Sequence, residues 1–224
     1  MLQKLFSLLM ILVSLGSGTL REYADQMNLG GYLFLVNRDY PLTADYVPED
    51  LVMPDVKRVS DAVLLRRDAA AGLEGLFTAA KEEKGFVLVA VSGYRSYSTQ
   101  NAIFARKVAS VGRQKAMLLV APPGCSEHQL GLAMDIGTSR DHSLTFAFGK
   151  TEEGIWVAEN CWRFGFIIRY RDEWTDVTGY SYEPWHLRYV GEEHARRIYE
   201  MDIPFEYYIE QLKEARFEAA LSGL

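Results

Sequence analysis

The stretch Ser126-Glu127-His128-Gln129-Leu130-Gly131-Leu132-Ala133-Met134-Asp135 decides how this chain is read, together with Glu183-Pro184-Trp185-His186 further along. Between them they offer two imidazoles, a carboxylate able to ligate, and a second carboxylate three residues ahead of the last imidazole. Catalytic zinc sites typically combine three ligands of the His and Asp/Glu type with water in the fourth position. A carboxylate beside that water completes the apparatus for hydrolysing an amide. The residues therefore read as a zinc peptidase, with His128, Asp135 and His186 on Zn2+ and Glu183 as general base.

Leu132 to Ile136 alternates with period two, so Asp135 falls on a face whose neighbours, Ala133 and Gly137, are small. His128 is too far from Asp135 to share one strand with it. A loop must fold His128 back, and Gly131 is the natural pivot. Glu183 and His186 are three apart but not on a helix, because Pro184 removes a donor and pushes Glu183 into an extended conformation. Glu183 is thus placed in the turn entering a strand that carries His186. Glu183 as a fourth ligand is the rival assignment, disfavoured because a filled shell leaves no place for the nucleophilic water. Of the other histidines, His194 sits in a charged helix start and reads as solvated, and His142 lies in a polar loop.

Working outward, Asp61 to Glu83 reads as a helix with an apolar face including Leu65, Ala69, Leu73, Leu76 and Phe77. Phe86 to Val91 reads as a buried strand ending in Ser92-Gly93-Tyr94-Arg95-Ser96. Arg95 at that mouth is placed to orient a substrate carbonyl or stabilise an oxyanion. A second helix, Ser98 to Leu119, carries Gln100 in its first turn. Gln100 and Ser126 are candidates to bind a substrate carboxylate, and Trp185, between base and ligand, is a candidate substrate wall. Later helices are expected at Glu152–Arg163, Glu192–Met201 and Phe205–Leu221, and strands at Phe166–Ile168 and Trp185–Val190.

Residues 1–18 form a basic start, an apolar run and a small-residue exit, the layout of a signal peptide or membrane anchor. An extended lead-in follows over 19–58, with strand character at Tyr32–Val36, and residues 59–224 form the catalytic domain with its C-terminal helices. This places the protein outside the cytoplasm, secreted or anchored, with membrane contact only through that first segment. A formal charge of −6 argues against nucleic acid as a partner. Cys125 and Cys161 read as two buried thiols, with a single bridge between them left open.

Ser92-Gly93-Tyr94-Arg95-Ser96, Ser126-Glu127-His128 through Asp135, and Glu183-Pro184-Trp185-His186-Leu187-Arg188-Tyr189-Val190-Gly191 together resemble the VanY-type D-alanyl-D-alanine carboxypeptidases. The resemblance spans about residues 31 to 200. It implies an α+β fold: one compact domain, a small antiparallel sheet bearing the zinc site, and helices packed on it. It implies Zn2+ on His128, Asp135 and His186, Glu183 as the catalytic glutamate, and Arg95 as the substrate-orienting arginine. Gln100 and Ser126 match positions used around the terminal carboxylate. The implied substrate is the peptidoglycan stem peptide, losing a terminal D-alanine. An L,D-carboxypeptidase, an endopeptidase, or a non-catalytic zinc-containing wall-binding module are the alternatives.

Overall fold

A computed structural model describes residues 27–222, so the segment read as a signal or anchor lies outside the described residues. Among the described residues no helix is long and apolar enough to cross a membrane. Val36–Asp202 forms one compact unit, and the described residues before Val36 group with those after Asp202 in another. The second unit carries the C-terminal helix Phe205–Ser222, whose Phe205, Tyr208, Ile209, Leu212 and Ala215 are buried at helical spacing.

Within Val36–Asp202 the organising element is a four-stranded antiparallel sheet. Its strands are β3 (Leu88–Ser92), β4 (Ala133–Thr138), β5 (Phe166–Tyr170) and β6 (Glu183–Tyr189), in the order β3-β4-β6-β5. A short pair, β1 (Leu51–Val52) with β2 (Leu65–Arg66), precedes them. Every residue of β4 is buried, because the strand is flanked on both edges and covered on both faces. The small antiparallel sheet with packed helices matches the expected fold class.

Several boundaries differ from the sequence reading. The first helix, α1, runs Arg67–Lys84 rather than starting at Asp61. Leu65 belongs not to its apolar face but to β2, opposite Val52. The buried side of α1 is Ala69, Ala70, Leu73, Leu76, Phe77 and Ala80; each large member contributes about 1.5–3 kcal/mol by leaving water. The expected single helix Ser98–Leu119 is two: α2 (Tyr97–Val111) and α3 (Arg113–Leu119). Gly112 separates them, with φ 78° and ψ 157°, a conformation that ends a helix and suits glycine alone. α2 starts on Ser96, whose Oγ accepts the Thr99 N–H at 3.2 Å.

Tyr32–Val36 is turn and coil rather than strand, although Leu33 and Val36 are buried. The apolar run reflects burial, and Gly31 and Phe34 close local turns instead of a ladder. α4 covers Glu152–Asn160, and a 3-10 turn at Cys161–Phe164 completes the expected helix. α5 is Glu192–Met201. Cys125 and Cys161 are free and buried, and burial pushes the Cys161 thiol up to about 12.

His194 overturns its expected solvation: it is 3% exposed, on the inner side of α5 with Ala195 and Ile198. Burial carries its pKa down from 6.5 to about 4, against the opposing charge of Glu193. The unfolded chain therefore takes up this proton first. The contribution to stability is complete above pH ~6.5 and is lost as pH falls towards ~4, on the order of 2–3 kcal/mol. Urea titrations across that window should show a shallower acid limb for His194→Gln than for wild type, and parallel limbs would refute this origin.

Candidate active site

Antiparallel pairing of β4 with β6 sets Asp135 directly opposite His186, so both project from the same face of the sheet. His128 arrives by another route. Ser126 leads into a 3-10 turn, Glu127–Leu130, which ends at Gly131 in the left-handed region, φ 69°. A side chain there would crowd Leu51 and Arg66, and the positive φ itself disfavours any L-residue by about 1–2 kcal/mol. The turned-back His128 is gripped twice by the segment leaving β3. Its ring Nδ1–H donates to Gly93 O at 2.7 Å, and its own carbonyl accepts the Arg95 N–H at 3.2 Å.

His128, Asp135 and His186 converge so that one ligand atom from each lies within 4.8 Å of the others, and all three are buried. His128 Nε2 stands 3.3 Å from Asp135 Oδ2, and His186 Nδ1 is 2.9 Å from Asp135 Oδ1. Because a carbonyl can only accept, His128 carries its proton on Nδ1, which leaves Nε2 as a lone pair. That atom is buried and makes no hydrogen bond, a costly state unless a cation takes the lone pair. Two nitrogens and one carboxylate is a donor set that suits Zn2+.

The electrostatics agree. Burial carries His128 down to about 4, with Arg95 pushing the same way, so its imidazole is neutral. Burial alone would raise Asp135, but the two imidazoles beside it hold the carboxyl well below the usual range. Burial would lower His186, yet the carboxylates of Asp135 and Glu127 reverse this and lift it to about 9. Burial raises Glu183 to about 7, with His186 opposing and Asp135 adding. A carboxyl in that range can both take and return a proton near neutrality.

Glu183 stands outside the trio, its Oε2 3.9 Å from His186 Nδ1. It belongs to β6 itself, opposite Tyr170, and not to a turn before the strand. All eight predicted site residues line one cavity of ≈ 290 Å3: Arg95, Gln100, Ser126, His128, Asp135, Glu183, Trp185 and His186. Arg95 Nε is buried there without a hydrogen-bond partner, and burial lowers the guanidinium's pKa. Gln100 donates through Nε2 to Ala121 O at 2.7 Å, and its Oε1 is buried with no partner. Trp185 packs against Phe146, ring centres 6.0 Å apart. His142 is exposed in its loop. A larger cavity, ≈ 430 Å3, is lined by Trp162, Trp174 and Tyr182 but contains no histidine.

One residue of the site escaped the sequence reading. Glu127, wholly buried, accepts Arg169 Nε at 2.8 Å and Arg188 Nη1 at 2.9 Å, and lies 3.3 Å from His186 Nε2. Its signal was indirect: an arginine inside the apolar strand Phe166–Tyr170, and another two residues after His186 on the same face.

Comparison with known proteins agrees with this geometry. The family model described as "VanY: D-alanyl-D-alanine carboxypeptidase" matches residues 62–192. The chain belongs to the VanY carboxypeptidase family. The Bacillus subtilis (strain 168) protein YodJ is 48% identical over 187 residues, covering 81% of this chain and 68% of that protein. The solved LD-carboxypeptidase LdcB superposes with a TM-score of 0.77 at 48% identity, covering 82% of this chain and 88% of that one. A glutamate-to-alanine mutant of the D,D-pentapeptidase VanY, in complex with Zn(II), superposes with a TM-score of 0.66 at 37% identity, covering 80% and 98%. The expected family and enzyme class are thus borne out.

His128→Ala removes one of the three donors and, with it, the orphaned nitrogen. Metal analysis after dialysis against a weak chelator should find this variant largely empty while wild type keeps one metal per chain; equal occupancy would refute the ligand assignment.

Proposed function

We propose that this protein is a zinc-dependent carboxypeptidase that hydrolyses the terminal D-alanine from peptidoglycan stem peptides, the D,D bond being the one cut. The reading is carried by one observation: the buried trio His128, Asp135 and His186, with the orphaned His128 Nε2, lines one cavity together with Glu183 and Arg95. These three residues hold the metal, which when bound supplies Lewis acidity to water and carbonyl. Glu183, on its own strand and outside the trio, takes the proton of the attacking water and returns it to the leaving amine. A carboxyl poised near neutrality suits both transfers.

Arg95, half-buried in the cavity wall, supplies positive charge where the carbonyl oxygen becomes an oxyanion. Gln100 and Ser126 lie beside Arg95 in the cavity and bind the substrate's terminal carboxylate, and Trp185 walls the acyl side. The N-terminal segment directs the protein out of the cytoplasm to the compartment of the cell wall, where it is secreted or, if the segment is not cleaved, anchored by it.

A second reading, cleavage of the L,D bond of a tetrapeptide stem, is favoured by the higher identity to LdcB (48%) than to the VanY structure (37%). Both use the same metal chemistry and differ in what the cavity accepts. Incubating purified protein with defined pentapeptide and tetrapeptide muropeptides, with and without chelator, decides between them. D-alanine released from pentapeptide supports the first, release from tetrapeptide alone supports the second, and chelator-insensitive release or none refutes both. Glu183→Ala should lower kcat by at least about 10²–10⁴-fold, the usual range for losing a general base. Its metal content should stay at the wild-type level, and undiminished turnover would remove Glu183 from the role.

A further inference from the structure

The hydrolytic reading leaves one buried ion cluster without a task. The Glu127 side chain has no exposure to solvent, and those of Arg169 and Arg188 have 1% and 0%. Burying three ions is costly, and apolar residues of similar volume would pack the space at least as well. The cluster's geometry is specific instead. Oε1 of Glu127 accepts from both guanidiniums, Arg169 Nε at 2.8 Å and Arg188 Nη1 at 2.9 Å. That leaves Oε2 facing the ring of His186, 3.3 Å from Nε2.

Three strand positions make this arrangement. His186 and Arg188 are alternate residues of β6 and share a face, and Arg169 joins them from β5, two residues beyond Ile167, which pairs with Arg188. The cluster therefore lies directly behind the imidazole, on the side away from Asp135. A carboxylate whose other oxygen is saturated by two cations has only acceptor capacity left. Whatever nitrogen of His186 faces it must carry a hydrogen.

We propose that Glu127 is a positioning residue of the metal centre: it retains the proton on His186 Nε2, reserving Nδ1 as the ligand atom, while Arg169 and Arg188 fix the carboxylate. The assignment rests on the zinc reading of the site and adds the atom by which His186 binds. His128 obeys the same logic in mirror form, Gly93 O holding the proton on Nδ1 and freeing Nε2. The two histidines thus ligate through different nitrogens, each chosen by an acceptor on its far side. The ring centres lie 4.9 Å apart at 74°, so the two planes meet edge to face.

The Glu127→Gln variant sharpens the point. The guanidiniums demand an oxygen, so the amide must turn its NH2 group towards His186, where donor meets donor. Nε2 then gives up its proton, the ring's remaining proton stays on Nδ1 against Asp135, and a metal must compete with it for that lone pair.

The test uses the full chain and zinc or cadmium ions alone. In wild type loaded with 113Cd, long-range 1H–15N spectra should show His186 Nε2 protonated and Nδ1 coupled to cadmium. Chelator competition should show zinc affinity lowered roughly 10–100-fold in Glu127→Gln, the range for loss of such a partner. In the metal-free proteins, His186 of wild type should carry a proton on both ring nitrogens, and His186 of the variant should lack the one on Nε2, a signature that loss of packing would not produce. Cadmium coupled to His186 Nε2 in wild type, or unchanged affinity in Glu127→Gln, would overturn the assignment. Should Glu127→Gln fail to fold, the wild-type spectrum still decides. Tight zinc binding without peptide hydrolysis would sink the proposed function and spare this assignment; absence of zinc binding by wild type would end both.

Discussion

The register between β4 and β6 is the constraint from which the rest of the site follows. Asp135 and His186 are direct partners across that pair, and side chains alternate faces along each strand. A slip of one residue would turn Asp135 away from His186 and would bury the wrong set of side chains on both faces. Since every residue of β4 is buried, such a slip has no tolerated alternative. The pairing thus sets the geometry of two of the three candidate donors through the same interactions that hold the sheet together.

Against that fixed pair, the third donor is delivered by a turn, and turns are softer. The structure compensates with hydrogen bonds. The segment leaving β3 takes both the ring and the carbonyl of His128, and Gly131 O accepts the Arg66 N–H at 2.9 Å, tying the turn to β2. β3 itself is irregular here, its register shifting between Ala90 and Ser92 where it meets Asp135. Bulges of this kind re-aim the chain at the end of a strand. Here the chain that follows supplies Gly93 O and Arg95.

Much of the site could be read from residue types because the chemistry restricts them. Few combinations of His and Asp serve a hydrolytic metal, and His128, Asp135 and His186 stand in two dense motifs. Glu127 was not legible, since its partners come from β5 and β6 and only folding brings Arg169 and Arg188 behind His186. His194 misled because Glu192, Glu193, Arg196 and Arg197 surround it, while the inward side of α5 is marked only by Ala195 and Ile198. The boundaries failed where a local signal was overridden. Periodicity ran straight through Gly112, and Leu65 fits a helical face as well as a strand. Leu33 and Val36 are apolar because they are buried, which sequence cannot distinguish from strand pairing.

Gly112 also divides the labour of the cleft. The metal donors and Glu183 stand on the sheet and its turn, whereas Ile103 and Lys107 come from α2 and Leu119 from α3, on either side of that glycine. Part of the surface that a bound peptide would touch therefore belongs to backbone separate from the reactive groups, although Trp185 and Ser126 share theirs. Drift in the two helices can reshape what is admitted while the sheet keeps its register, so relatives sharing one chemistry are free to diverge in diet.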